Sequence, residues 1–417
     1  MTHTKDSPSP PLQRLRSWLS SAGAGDEAIG IRDEANGERG LCARSAVPAG
    51  TAALRIPSSL LITLETARAS SIGRAIAGRG VTLGSPFSEI AAFLIQERNA
   101  PDSFWKPFLD TLPASFANVP VYFGRDELDL LQGSFVRRTV QQRRAALRAE
   151  HERLRTDVAA FANVGYDEFL WAWTAVATRN FEIETGGGKT AAMVPLADLL
   201  NHRMPPETHW KYDEESQAFV LTAMRCFAAG EPLHTSYGAK GNSRLLLNYG
   251  FCLAENDHDE AALQLALPGQ SAQTFQVQPD YGTAETRRMF GFLRRRLAGQ
   301  PEPDGETAVP PVSVRNETLV LLSIAAACQG ALEAFGSTLE EDDRILADPA
   351  LSIQARNCVL ARRGEKAVLH RFLGFTRLGV TWLRQAPPEP EKAAALGLTT
   401  GPFAGYSAEI LGSFSGR

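Results

Sequence analysis

Four stretches of this 417-residue chain set polar side chains inside apolar, strand-like sequence. They are Val194-Pro-Leu-Ala-Asp-Leu-Leu-Asn-His202, Gly230-Glu231, Thr235-Ser-Tyr-Gly238 and Leu245-Leu-Leu-Asn-Tyr-Gly-Phe251. A buried polar group costs free energy unless it finds a partner. The Asn201-His202 pair, directly after an apolar run, therefore calls for a structural or a ligand partner. Taken singly, each piece reads equally well as a helix cap or a satisfied core tyrosine. Together, in this order, they point to a built site.

Other chemistries fail on spacing. Thr185-Gly-Gly-Gly-Lys-Thr190 lacks the first glycine of a phosphate-binding loop, because position 183 is Ile, and a turn between two β segments is the better reading. His202 and His209 do not have helical or finger spacing and no cysteine accompanies them, so no metal site is expected. There is no G-x-S-x-G elbow. The five cysteines (Cys42, Cys226, Cys252, Cys328, Cys358) are scattered and form no CxxC pair, which fits a reducing compartment.

The elements that must position these groups alternate in type. A helical segment at 11–21 is followed by short strands and turns over 29–63, then by helical spacing from 64 to about 178, clearest at Ile90, Phe93 and Leu94. The mixed-charge run 137–155 predicts a solvated helix. Strand-like segments return at 192–196, 218–223 and 233–237. Beyond 267 the pattern is helical, around 287–297, 318–335 and 353–383, with a Pro/Gly-rich interruption at 299–312. The Pro/Glu/Ala/Gly-rich end from 386 predicts a loosely ordered tail. Hydrophobic residues make up 44% and charged residues 22%, and the net charge is -4, a balance that argues against a general nucleic-acid binder. The longest apolar runs fall short of the roughly 20 residues that cross a bilayer. A cytoplasmic, monomeric protein without membrane attachment is expected, with an organelle transit peptide left open at the N-terminus.

In their order the motifs resemble those of SET-domain methyltransferases, in the branch that includes the Rubisco large-subunit lysine methyltransferase and the actin-histidine methyltransferase. The likeness runs from about Gly30 to Leu383. It includes Gly37-Glu-Arg-Gly-Leu41, Arg55-Ile-Pro57, Ile62-Thr-Leu-Glu-Thr66, Ser103-Phe-Trp-Lys-Pro-Phe108 and Thr111-Leu-Pro113. It continues with Thr178-Arg179, the DxxNH segment from Asp198 to His202, Tyr237-Gly238 and Tyr249-Gly-Phe251. In the C-terminal part it includes Thr338-Leu-Glu-Glu-Asp342, Arg356-Asn357 and Arg362-Arg-Gly-Glu-Lys366. Three positions depart from the pattern: the acid at Glu38 is displaced by one, Gly241-Asn242 stands for Ser-Asn, and Arg244 stands where an acid is expected.

The resemblance implies an α+β fold of short β-sheets with a helical insert and an all-α C-terminal domain. Residues 1–28 would form an N-terminal segment and 29–262 the catalytic domain, with its insert at about 68–177. Residues 275–385 would form the substrate-binding domain and 386–417 a flexible tail. It implies S-adenosyl-L-methionine as cofactor, held by Arg39, Gly40, Glu65, Thr178, Arg179, Asp198, Asn201, His202, Tyr249, Gly250 and Phe251. Tyr237 would be catalytic, and Phe181, Ala197, Tyr237 and Tyr249 would line the substrate channel. Methyl transfer is an in-line displacement, so such a site must align an uncharged nitrogen and exclude water. The histidine-modifying branch carries an amide after its cofactor arginine and a Trp before the DxxNH segment, where this chain has Phe181 and Ala197. Apolar walls suit the stem of a lysine on a protein substrate better than an imidazole that needs a hydrogen-bond partner. Lysine is therefore the favoured target and histidine the second. A catalytically silent binding module of the same fold and a nucleotide-dependent enzyme are the competing readings.

Overall fold

A computed structural model describes residues 9–33, 39–266, 271–299, 309–385 and 388–414. Two compact units emerge, Met1–Phe116 with Arg143–Ala239, and Ala117–Gln142 with Lys240–Arg417.

Among its described residues the first unit holds ten strands: β1 (Ile29–Asp33), β2 (Arg39–Ala43), β3 (Ala52–Pro57), β4 (Ile62–Thr63), β5 (Asn180–Thr185), β6 (Gly188–Met193), β7 (Asn201–His202), β8 (Thr208–Asp213), β9 (Ala218–Ala223) and β10 (Pro232–Thr235). They form three small sheets in the orders β1-β2-β10-β7, β3-β9-β8 and β4-β6-β5. Burial explains the patterns. The middle strand β9 is apolar along almost its whole length, whereas β5 alternates buried Phe181 and Ile183 with exposed Glu182 and Glu184. The glycine-rich run is the turn of the β5–β6 hairpin. Gly188 takes φ +99°, and Lys189 pairs with Glu182 at 2.9 Å across the exposed face.

Two expected strands end early. The segment predicted at 192–196 leaves the sheet at Met193, because buried Leu196 adopts φ +70°, a conformation that side chains with a Cβ rarely take. A 3₁₀ turn, Ala197–Leu199, follows at once. The segment predicted at 233–237 stops at Thr235. The helix Tyr166–Arg179 buries Phe169 to Val176 against the helix Pro86–Asn99 and carries Arg179 at its end. The charged run forms the helix Phe135–Asp157 but is only partly solvated. Leu147, Glu150, His151 and Leu154 are buried, with Glu150 accepting from the Gly84 amide (2.8 Å) and the Ser88 hydroxyl, and His151 Nε2 bonded to the Val164 carbonyl at 2.8 Å.

In the second unit the region beyond 267 is not purely helical. β12 (Gln273–Val277) pairs antiparallel with β11 (Ala261–Leu265) and buries Phe275 and Val277 on one face. The helices Ala284–Leu297, Val314–Ala334 and Ile353–Leu383 enclose the main core. Val314–Ala334 is long and apolar enough to cross a bilayer, yet Val320, Leu321, Ile324 and Cys328 are fully buried in that core. Within the predicted loose tail, the described residues 388–414 are instead structured. The helix Ala404–Phe414 seats Tyr406 and Ile410 at 0% exposure, and Phe403 stacks on Phe375 at 4.0 Å. An ion pair reinforces the seat: Arg294, 1% exposed, bonds Glu317 at 2.8 and 3.1 Å and Glu409 at 2.9 Å. Composition had suggested disorder there, but the apolar residues at 403, 406 and 410 have helical spacing and a core to enter.

Candidate active site

β10 lies between two partners of opposite sense. It runs antiparallel to β2, with Pro232 opposite Cys42 and Leu233 opposite Leu41, and parallel to β7, with His234 opposite Asn201 and Thr235 opposite His202. The parallel pairing places the end of β10 beside His202, and the Arg203 amide continues the ladder onto the Thr235 carbonyl at 2.9 Å. Two residues later the Tyr237 amide donates to His202 Nδ1 at 3.0 Å, so Nδ1 is the unprotonated nitrogen of that ring. The Tyr237 hydroxyl donates to the Leu200 carbonyl at 2.6 Å, and the two rings lie 5.2 Å apart. A phenol whose proton is committed in this way presents its oxygen lone pairs, and hence negative charge, to whatever lies beyond it.

Arg179 meets the segment from the other side. Its Nη1 donates to both the carbonyl and the carboxylate of Asp198, each at 3.0 Å. Burial pushes the Asp198 carboxyl above its ordinary value, and the charges of Arg179 and, more weakly, Arg39 oppose that. Arg179 Nε is buried without an acceptor among the described residues. Such a donor is costly to leave unmade and invites an acceptor from outside the chain. Among the described residues the Asn201 amide makes one long contact, 3.5 Å to the Arg39 carbonyl, while Gly40 is buried within β2.

The remaining candidates of this unit are placed less directly. Thr178 spends its hydroxyl proton on its own helix, donating to the Thr174 carbonyl at 2.8 Å. Glu65 is an exposed residue in the first turn of the helix Leu64–Ala69, and among the described residues no hydrogen bond or ion pair ties it to the other candidates. Ala197 is fully buried in the 3₁₀ turn. The Phe181 ring stands edge-on to Trp210 (5.3 Å) and Phe219 (5.1 Å) in an aromatic cluster. Glu38 lies outside the described residues.

Tyr249, Gly250 and Phe251 belong to the second unit. Tyr249 ends the helix Asn242–Tyr249, and burial raises its phenol above the ordinary value. Gly250 caps that helix at φ +84°, and a Cβ there would meet the Asn118 carbonyl oxygen at 2.8 Å, so glycine is required twice over. The turn is stapled by buried Asn357, which donates to the Gly250 carbonyl and accepts from the Cys252 amide, both at 3.2 Å. Two residues at the departures from the sequence pattern have partners: Asn242, which follows the departing Gly241, and the departing Arg244. Asn242 bonds both the amide and the carbonyl of Leu253, at 2.8 and 3.0 Å, and Arg244 pairs with Glu260.

Sequence reasoning missed Glu207. This carboxylate accepts from His234 Nδ1 (2.9 Å), Arg203 Nη1 (3.1 Å) and Arg225 Nε and Nη2 (3.1 and 2.9 Å). Burial alone would raise its pKa, yet the bonds to His234, Arg203 and Arg225 hold it below the ordinary value. The one local signal for it in the sequence is the i, i+4 spacing of Arg203 and Glu207.

Comparison with known proteins places two family descriptions on the chain: SET domain over residues 38–238 and Rubisco LSMT substrate-binding over residues 270–369. Among curated proteins, the actin-histidine N-methyltransferase of Homo sapiens is 26% identical over 90% of this chain and 70% of its own length. That of Mus musculus is 26% identical over 93% and 73%. Among solved structures, the SET domain of LSMT bound to lysine and AdoHcy superposes with a TM-score of 0.77 at 23% identity, covering 99% of this chain and all of the other. Rubisco LSMT bound to AdoMet gives 0.75 at 24% over 96% and 100%. Likeness at that level of identity speaks for the fold.

Proposed function

We propose, from the premise that this chain is a SET-domain protein carrying a Rubisco LSMT substrate-binding domain, that it is a protein methyltransferase using S-adenosylmethionine. The observation that carries this reading is the parallel β7–β10 pair, which joins Asn201-His202 to Tyr237 through the Tyr237 amide and His202 Nδ1.

The donor set of the chain fits the cofactor. Arg179 Nε is a buried donor without an acceptor among the described residues, and a carboxylate would satisfy it. Among the described residues the Asn201 amide has one weak contact, and it can bond a purine edge or an amino-acid end. When bound, the cofactor supplies an electrophilic methyl group. Tyr237 orients and polarises through an oxygen whose own proton is held by the Leu200 carbonyl. His202 holds the Tyr237 backbone in register, and Asp198 holds Arg179. Bulk water accepts the proton that the target nitrogen must lose.

The target is a side-chain nitrogen of another protein. The curated relatives are named for histidine methylation, and that favours an imidazole nitrogen. The lysine reading rested on Phe181 and Ala197 as apolar walls. Ala197 keeps that character, but the Phe181 ring is engaged with Trp210 and Phe219, which weakens the argument. Histidine is therefore the first reading and the ε-amine of lysine the second.

Calorimetric titration with S-adenosylmethionine, on the wild type and on Asn201→Ala, tests the cofactor assignment. Micromolar binding that the substitution abolishes supports it, and unchanged binding by the variant removes Asn201 from the site. Methyl transfer into a cell extract, followed by fragmentation mass spectrometry of the labelled peptides, then assigns the nitrogen.

A further inference from the structure

We propose that Glu207 is a positioning residue for Tyr237, acting through β10. The inference rests on the reading of Tyr237 as the group that faces the transferred methyl.

β7 has only two residues and β10 only four, and their pairing consists of two register positions, His234 with Asn201 and Thr235 with His202. So short a ladder has few backbone hydrogen bonds with which to fix itself, and parallel pairing is slightly weaker per residue. Glu207 supplies a side-chain bracket at this point. Its Oε2 bonds His234 Nδ1, on the strand that leads into Tyr237. Its Oε1 bonds Arg203, the residue after β7, and Arg225, in the connection between β9 and β10. The neighbouring Thr208 hydroxyl donates to the His234 carbonyl at 2.9 Å, so both backbone and side chain of His234 are held from the 207–208 segment. Arg225 extends the bracket to Glu231, one residue before β10, at 2.6 Å.

The bracket is partly shielded from water. The side chains of Glu207 and His234 are 12% and 14% exposed, whereas Arg203 and Arg225 reach the solvent. Charge-assisted bonds in such a setting are the strong ones, and three cationic or hydrogen-bonding partners converge on one carboxylate. Loss of Glu207 removes the side-chain link between the segment after β7 and β10, while Arg225 stays bonded to Glu231, and the two released segments are those that fix where the Tyr237 oxygen stands. Rate depends steeply on that placement, since a shift of about 1 Å costs on the order of 100-fold.

The test uses the full chain as Glu207→Ala and as the near-isosteric Glu207→Gln. Gln keeps an acceptor oxygen for the arginines and a hydrogen-bonding amide near His234. Two readouts are taken on folded protein well below the melting temperature: kcat and cofactor affinity in methyl transfer, and amide hydrogen exchange across 199–208 and 232–238. The expected result for Glu207→Ala is a kcat lowered at least tenfold, S-adenosylmethionine affinity within about threefold of wild type, and exchange faster in those two segments only. Glu207→Gln recovers most of each. If the wild type transfers no methyl group, the methyltransferase reading fails, and the exchange data alone decide whether Glu207 fixes the ladder. Unaltered kcat with unaltered exchange in Glu207→Ala overturns the proposal, as does a uniform rise in exchange with unchanged kcat, which marks a merely stabilising residue. Should Glu207→Ala not fold, Glu207→Gln is compared with wild type instead: a kcat lower by about twofold with faster exchange in 199–208 and 232–238 supports the proposal, and unaltered values of both overturn it.

Discussion

Tyr237 and His202 hold each other in a fixed arrangement: the tyrosine amide donates to Nδ1 of the histidine, and the two rings lie 5.2 Å apart at 35°. The tyrosine hydroxyl is simultaneously bonded to the carbonyl of Leu200, at the start of the same short segment. Replacing Tyr237 by Phe removes the oxygen and leaves the ring and the amide bond in place. The expected outcome is a methyl-transfer rate lower by roughly 100-fold, the scale for losing one preorganised polar group, with S-adenosylmethionine affinity within about threefold. Single-turnover kinetics beside calorimetry make the comparison, and a full rate would take Tyr237 out of the chemistry.

Asp198 and Arg179 form an ion pair in which the carboxylate side chain is 3% exposed and the guanidinium 21%. Asp198→Ala leaves a mostly buried cation without its partner. The expected loss of stability is about 3 kcal/mol, the low end for broken buried pairs because a fifth of Arg179 still meets water. Urea denaturation followed by circular dichroism measures it. A loss below about 0.5 kcal/mol would show the pair to be no more than a surface contact.

Gly250 combines a left-handed backbone with an approach to Asn118 that admits no Cβ. Gly250→Ala is expected to cost about 2 kcal/mol or more, from the strained conformation and the backbone contact together. An unchanged melting temperature would mean that the turn relaxes freely.

Glu365 is buried between the Ser134 and Ser243 hydroxyls and the Phe135 amide. Burial raises its pKa to about 7 from 4.5, against the lowering effect of those donors. A group whose folded value is raised stabilises fully below its unfolded value. The contribution shrinks from pH 4.5 upward and is gone above pH 7, a loss on the order of 3 kcal/mol. Glu365→Gln removes this slope, so the variant should be more stable than wild type above pH 7. A shallower slope remains in it from Asp259, raised to about 6 from 3.8 mainly by burial. Melting temperatures of both proteins across pH 4 to 8 check the sign, and parallel curves would refute the assignment.

Long periodic elements were legible in the sequence, and short ones held by distant partners were not. The helix Ile353–Leu383 has the bounds that its apolar spacing predicts, because 31 residues repeat one pattern. β12 was missed because only Phe275 and Val277 mark its buried face, too few to separate a strand from a loop. The early end of the 192–196 strand depends on Leu196, whose conformation no propensity favours. Within the site, Asn201, His202 and Tyr237 stood out as polar residues in apolar sequence, and the structure brings them together. Glu207 did not, because its partners lie 4, 18 and 27 residues away and only the folded sheet brings them to one carboxylate.

The second unit is assembled from two pieces of chain, and residues 117–142 precede the rest of it by nearly a hundred positions. Ser134 waits for Glu365, 231 residues later, and the Leu130 carbonyl for Arg362, 232 residues later. Made from the N-terminus onward, the chain exposes Leu131, Val136 and Val140 long before Leu246, Cys358 and Ala361 exist to cover them. The order of synthesis thus runs against the order of packing. Throughout translation this stretch leaves apolar surface unpaired, and its contacts with the helix Ile353–Leu383 close only after that helix has been made.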